Sequence, residues 1–589
     1  MTPKSILLLF TLFCCSFLHV QSGNVQRSAD KKMVPHIQTI AQKYNQSEFG
    51  TNTFVFDPSM DMSEIQELLD SIHAGLTFPD YEFTNQRYAY MFKPGVYQLD
   101  IQVGYYTHII GLGQSPDDVI IQGTVRSNAT KGHVLCNFWR SVENLTIEPT
   151  DGNNIWGVSQ AAPLRRVHVK GDLTLFEGAS SGGFMADCKI DGKVISGSQQ
   201  QWFTRNSEFQ QWDGGVWNMV YLGVKNAPAE DWPEKPVTNI ALTPEVREKP
   251  YWIFANNIYQ LVIPCLKKNS EGIDWANTNL KEQLIPLTDF HIAYPCKDNA
   301  ASLNKALQQG KHLLFTPGIY QLEESICVTR PGTIVMGIGM ATLIPLYGKK
   351  ALCTADVPGI SIISLVVDAS SIPSETLVEV GKKELKERDN KKKDPIFVYD
   401  VFFRIGGAQE GSAKSCMTIN SNNVYVDHAW FWRADHGNGI GWDKSKCANG
   451  LVVNGHDVTV YGLFNEHFQE YQTVWNGERG RVYFYQCELP YDPPTNDIWS
   501  HDNILGYASY KVSDHVKEHH AWGIGIYGFF DTPLIVDRLI ETPVSVEGNF
   551  YHKVGIMLGW NKKTDTVFRN IINDKGGPID TSRRKQTMK

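Results

Sequence analysis

The segment MFKPGVYQL at 91–99 returns as LFTPGIYQL at 314–322, an offset of 223 residues. The echo extends to the flanks of both copies. Amphipathic MSEIQELLDSI (62–72) precedes the first and NAASLNKALQQG (299–310) the second, while Gly-containing apolar segments follow at 108–123 and 333–345. A chain that uses one local plan twice, this far apart, builds two related units. Its 589 residues also exceed what one hydrophobic core serves. Each amphipathic stretch places apolar residues three or four apart behind a polar residue, Ser63 or Asn299, which predicts two N-capped helices.

After each predicted helix come short β-rich runs broken by Gly, Asn and Asp, at intervals of roughly 20 to 25 residues. VENLTIEPT, LRRVHVKG and FTRNSEFQ belong to the first half; NNVYVDHAWFW, NGHDVTVYGLFNEH and RGRVYFYQCEL belong to the second. That interval suits one coil of a parallel solenoid. An uncovered first coil would expose its apolar interior and an unpaired strand edge, so a helix at the start of each half serves as a cap. The long helical crossovers of a doubly wound fold are missing. The expectation is an all-β protein of two tandem right-handed parallel β-helices, each with an N-terminal capping helix, at 50–224 and 296–575. The Pro- and charge-rich stretch 225–295 connects them. KKELKERDNKKKD (382–394) reads as a solvated loop, and the basic tail 576–589 as frayed.

Residues 1–22 read as a signal peptide, with Lys4 before the apolar run Ile6 to Val20 and small Ser22 and Gly23 after it. The expected location is therefore secreted and extracellular. No later run reaches about 18 apolar residues, so no membrane partner is expected. A net charge of −8 without a basic domain argues against nucleic acid. A monomer without cofactors is the simplest expectation. Nine cysteines follow the signal, so at least one stays unpaired within a single chain; none forms a CxxC zinc pattern. Sequons at Asn45, Asn128 and Asn144 predict a glycoprotein. The 15 Trp, 24 Tyr and 28 Phe suit ring-stacking on sugars, though most belong to the core.

Glu466 and Glu488 lie 22 residues apart, about one coil. Strands in adjacent coils stand about 4.8 Å apart, so the two carboxylates stack, repel and raise one proton affinity. Glycoside hydrolysis needs such a proton donor beside a second carboxyl group. Two solvated surface glutamates would show the same spacing. Gln160 in WGVSQAAPLRRVHV, Ser181 in SSGGFMAD and Gln200 in GSQQQWFTRN can hold a water by hydrogen bonds; a plain polar ladder along a solenoid uses the same residues. FWRADHGNGIGW carries Arg433, Asp435 and His436 beside glycines. Neighbours on a strand face opposite ways, which disfavours a metal site there, and no serine sits in a nucleophile-elbow context. Two other readings stay open. One is a polysaccharide lyase using Arg433, His436 or Lys511 as base on an acidic glycan. The other is a non-catalytic carbohydrate-binding or wall-associated protein.

SQAAPLRRVHV, SSGGFMAD, GSQQQWFTRN, FWRADHG, NEHFQEYQTVWN, CELPYDPP and WGIGIYGFF stand in the same order as blocks of the family-55 glycoside hydrolases, which the chain resembles over most of its mature length. The resemblance implies a pectin-lyase-like double β-helix and a secreted, exo-acting, inverting hydrolase of β-1,3-glucan or a related polysaccharide, with its site in the cleft between the helices. It implies Glu488 as general acid and Glu466 as a second acidic position. Gln160 and Ser181 would position the attacking water. Gln200, Arg433, Asp435, His436 and Tyr491 join the candidate water- or substrate-contacting set. Carboxylates one coil apart suit a separation of about 5 Å, whereas inversion wants roughly 6.5–9.5 Å. Glu466 is therefore expected to keep Glu488 protonated rather than to act as base.

Overall fold

The computed structural model describes residues 33–45, 47–276, 282–382, 394–559 and 565–589. The predicted signal peptide and most of the charged loop 382–394 lie outside the described residues. The chain is mainly β-structure in two stacks of parallel strands. The first runs from Thr53–Phe56 through Tyr88–Phe92, Thr107–Gly111, Arg140–Glu148, Leu164–Val169 and Gln201–Arg205 to Asn218–Leu222 and Val237–Ile240. The second runs from Phe290–Ala293 through Ile396–Ile405, Val424–Arg433, Thr459–Glu466 and Gly480–Glu488 to His519–Gly528 and Phe550–Met557. A companion sheet of nine parallel strands, Ile326–Val328 to Val567–Ile572, closes the second unit's other side.

The duplicated segment makes the same joint twice. Tyr97 Oη donates to the carbonyls of Phe56 and Lys93, and Tyr320 Oη to those of Ala293 and Thr316. The ring of each packs edge-on against a phenylalanine five residues earlier, Phe92 or Phe315. Ahead of these joints stand the two expected helices, Met62–His73 and Ala300–Gln308. Asn299 caps the second with a reciprocal bond pair to Ser302. The first is capped by Asp61, which accepts from the Ser63 and Glu64 amides, rather than by Ser63. Both residue types cap well, and the aspartate stands one position outside the first turn. A further helix, Pro35–Tyr44, packs on this one through the Lys43–Glu64 ion pair.

Several expectations change. The 225–295 stretch contributes strands to both stacks, Val237–Ile240 to the first and Phe290–Ala293 to the second, with two small antiparallel sheets between. The tail is not frayed: Lys585–Met588 pairs antiparallel with Lys553–Ile556, and Trp232 Nε1 donates to the Met588 carbonyl. Asn144 is fully buried, its Nδ2 donating to the Gly111 and Gly113 carbonyls, so this sequon cannot carry a glycan.

A repeated backbone break aims the second unit's side chains. In successive coils Asp400, His428, Gly462, Phe484 and Gly523 adopt φ between 50° and 71°, and the strand register skips one residue there. Each break resets the two-residue alternation. The residues two and four positions further on then face the first unit: Trp430 and Trp432, Phe464 and Glu466, Gln486 and Glu488. Left-handed backbone costs a non-glycine residue about 1 kcal/mol or more, which the ladder on either side offsets. A Cβ on Gly462 would stand 2.9 Å from the Phe184 ring, and one on Gly523 only 2.2 Å from Val220 Cγ2. Glycine there lets the two units approach.

The units share one apolar layer, in which Phe138, Trp139, Phe184 and Phe203 of the first meet Phe402, Trp430, Trp432 and Phe464 of the second. Beside it lies a buried ionic lattice. Arg165 reaches Asp400 at 2.8 Å and Asp427 at 2.9 Å, and Arg205 binds Glu248 at 2.7 Å and Asp427 at 2.8 Å. Lys249 bridges Glu143 and Asp400. Such pairs fix geometry more than they add stability, but removing one member leaves an uncompensated buried charge.

Candidate active site

Glu466 and Glu488 end neighbouring strands, and the His467 amide donates to the Glu488 carbonyl at 2.8 Å. Glu466 is only 3% exposed. Its Oε1 accepts from Gln160 Nε2 at 2.9 Å and Gln486 Nε2 at 2.7 Å, and its Oε2 from Trp430 Nε1 at 2.8 Å. Gln160 arrives from the first unit, 306 residues away in sequence. Ser181 Oγ donates to Gln160 Oε1 at 3.0 Å. Ser181, Gln160 and Glu466 therefore form one hydrogen-bonded line across the junction. It is held rigid: the Gln160 carbonyl meets His428 Nε2 at 3.0 Å, the Ser181 amide meets Ser159 Oγ, and Gln201 Nε2 donates to the Ser181 carbonyl.

Glu488 is half-buried, and its Oε2 accepts from Tyr491 Oη. The Tyr491 ring lies edge-on to His467 at 4.4 Å and to Phe529 at 5.2 Å. Burial raises the Glu488 proton affinity and the Asp435 charge adds to it, while His467 and Tyr491 hold it back. Burial, then the Glu488 charge, push Glu466 up to about 8 against the Trp430 and Gln486 donors. The shift on Glu488 thus has burial as its leading cause, where the sequence suggested the Glu466 charge. The two groups titrate as a pair. With the proton on Glu488 its charge no longer acts on Glu466, and three N–H donors favour the Glu466 anion.

The other candidates divide. Arg433 is 2% exposed and cannot reach a substrate. It grips Asp492 at 3.0 Å through both Nη atoms and donates to the Ser445, His467 and Gly441 carbonyls. It clamps the loop that carries Tyr491. Gln200 is tied in through its backbone, to the Ser180 carbonyl and the Trp217 amide. Asp435 and His436 lie past the strand end at Arg433, so strand alternation does not separate them: Asp435 Oδ1 meets His436 Nδ1 at 2.9 Å. Burial works against the imidazolium, but Glu82 and Asp435 raise His436 well above its ordinary value. Lys511 pairs with Glu541 in the companion sheet, apart from this cluster.

Sequence reasoning missed Gln486 and Trp430. Both were within reach of the two-residue alternation, since Gln486 stands two before Glu488, but the register break that fixes the parity was not legible. Trp217 and Tyr527 were missed too. Tyr527 pairs in register with Glu488 and, itself buried, packs behind the half-buried Trp217 ring at 5.1 Å.

A half-buried carboxyl group stands beside one buried behind a hydrogen-bonded line of polar side chains, and glycoside hydrolysis uses carboxyl groups in pairs. Comparison with known proteins shows the family. The LAM55 pectate lyase-like domain matches residues 290–488. An exo-beta-1,3-glucanase of Streptomyces sp. (strain SirexAA-E / ActE) is 42% identical over 539 residues, covering 90% of this chain and 87% of that protein. The structure of sacteLam55A from Streptomyces sp. SirexAA-E superposes with a TM-score of 0.88 at 41% identity, over 92% of this chain and 98% of that one. A variant of that enzyme in complex with glucose gives 0.86 at 40% identity, with the same coverage of both chains. The chain belongs to family 55 of the glycoside hydrolases, and it is a glycoside hydrolase.

Proposed function

We propose that this protein is a secreted, exo-acting, inverting hydrolase of β-1,3-glucan, working in the cleft where its two units meet. The relative named an exo-beta-1,3-glucanase supports the reading. The two parallel stacks read as tandem right-handed β-helices, each led by its capping helix. One observation carries the mechanism: the line Ser181 Oγ–Gln160–Glu466, made at 3.0 and 2.9 Å beside Glu488.

Glu488 gives its proton to the glycosidic oxygen as that bond breaks, and water attacks the anomeric carbon from the opposite face. The water passes a proton to Ser181 Oγ while the Ser181 proton moves to Gln160 Oε1. Gln160 Nε2 releases its proton to Glu466 Oε1, leaving the amide transiently in its imidic acid form. Glu466 is the terminal base, reached through the relay rather than by contact with water, so its closeness to Glu488 does not force retention. With the proton on Glu488, the Gln160, Gln486 and Trp430 donors keep Glu466 the anion that a base must be. Trp217, half-buried and backed by the buried Tyr527 ring, supplies the surface for a glucosyl ring.

The test compares Glu488→Ala with wild type on laminarin and on 2,4-dinitrophenyl β-glucoside, whose leaving group needs no acid. The expected result is activity lost on laminarin and largely kept on the activated glucoside. Equal losses on both would remove Glu488 from the acid role.

A further inference from the structure

Glu82, Cys136 and His436 meet at the junction of the units, outside the relay. A carboxylate oxygen, the thiol sulfur and a ring nitrogen all lie within 4.8 Å of one another. The first two residues come from the first unit and His436 from the second. His436 Nε2 stands 2.7 Å from Glu82 Oε1, and Nδ1 stands 2.9 Å from Asp435 Oδ1. An imidazole whose Nδ1–H is held by a carboxylate presents Nε2 outward, the arrangement that orients metal-binding histidines. The rings of Phe83 and Trp432 flank His436 at 6.0 and 5.2 Å and fix its plane. Glu82 is buried, while Cys136 and His436 are half-exposed, which leaves an ion a way in.

A second convergence, Asp187–Glu248–Asp274, shows what a charge-satisfied cluster looks like. Arg166 already pairs with Asp187 and Asp274, Arg205 with Glu248, and Lys267 with Asp274. Its donors are all oxygen and its counter-charges are in place. The Glu82 group also pairs its charges, His436 with Glu82 and Asp435, but it differs in offering one sulfur, one nitrogen and one oxygen.

We propose that Glu82, Cys136 and His436 form a site for one borderline-soft divalent cation, Zn²⁺ with Co²⁺ and Cd²⁺ as analogues, which ties the two units together beside the catalytic pair. Thiolate, imidazole and carboxylate are zinc donors, and three protein ligands leave a fourth position for water. Ca²⁺ and Mg²⁺ want all-oxygen shells and do not fit. Loading replaces the thiol proton and the proton on Nε2 with bonds to the ion, so two protons leave to solvent. Asp435 then acts as the outer partner that keeps His436 oriented.

The test uses the full chain, stripped with chelator and titrated with Co²⁺. Cys327 and Cys353 form another thiol pair, with sulfurs 3.0 Å apart, so both are first changed to serine. The expected result is a thiolate-to-cobalt charge-transfer band saturating at one equivalent, competed away by Zn²⁺, with a higher melting temperature in Zn²⁺. Cys136→Ser removes the band, and Asp435→Asn weakens binding about 10- to 100-fold. A band unchanged in a folded Cys136→Ser protein overturns the proposal. If that variant does not fold, the parent decides alone: neither a band nor a melting shift with excess metal overturns it equally.

Discussion

Replacing Gln160 by leucine keeps the side chain's bulk and cuts the proposed relay at its centre. Gln160 gives Glu466 one of three N–H donors and takes the Ser181 hydroxyl proton, both within 3.0 Å. General-base assistance is worth about 10²- to 10⁴-fold, so kcat should fall by that factor, or about 2.7–5.4 kcal/mol of barrier. The ground state changes less. One hydrogen bond to a charged acceptor and one neutral bond are lost, together about 2–4 kcal/mol of stability. The fold should survive, since the whole apolar junction remains. Glucose release from laminarin, followed across substrate concentrations, separates the two effects. The expected result is a kcat at least 100-fold lower with KM changed by less than about threefold, because Gln160 acts on the water side of the reaction. Ser181→Ala should fall in the same direction, and the double variant should be no worse than the poorer single one. A Gln160→Leu enzyme within tenfold of wild-type kcat, or strictly multiplicative losses in the double variant, would refute the relay.

Other outcomes follow from the same contacts. Arg165→Met leaves Asp400 and Asp427 with fewer counter-charges in a buried lattice, and should cost about 3 kcal/mol in a denaturant titration. Burial works against the Glu143 and Glu248 anions, yet Lys249 and His108 hold the first, and Arg205 the second, at about 2 from an ordinary 4.5. A depressed carboxylate stabilises the fold above its unfolded value and loses that contribution as pH falls through the folded one. Stability should therefore drop between about pH 4.5 and 2, and Glu143→Gln should flatten that drop in acid-melting curves. Deleting residues 584–589 bares the edge of Phe550–Met557 and frees Trp232 Nε1. Lower melting and visible self-association by light scattering should result.

The duplicated segment made the two units legible, because its tyrosine and phenylalanine pack the same way in both copies. The capping helices were legible from periodicity, and only the capping residue of the first was misplaced by two positions. The junction was not legible. Gln160 and Glu466 stand 306 residues apart, and no local pattern pairs them. The left-handed column was hidden as well, since Asp400, His428 and Phe484 share no chemistry that announces a common backbone. That column decides which face Glu466, Gln486 and Glu488 share. The Glu466–Glu488 interval was readable as one coil, but the line of side chains that reaches Glu466 from the other unit was not. Arg433 was read as a substrate-contacting residue from its type, whereas its five bonds, to Gly441, Ser445, His467 and twice to Asp492, make it a clamp between segments.

The stereochemistry of the first glucose released tests the central claim most directly. Proton NMR of wild-type enzyme on laminarin, recorded before mutarotation, should show α-glucose appearing first and the β anomer growing only later. β-Glucose as the initial product would mean a covalent intermediate, with Glu466 or Glu488 as nucleophile, and would contradict the water relay.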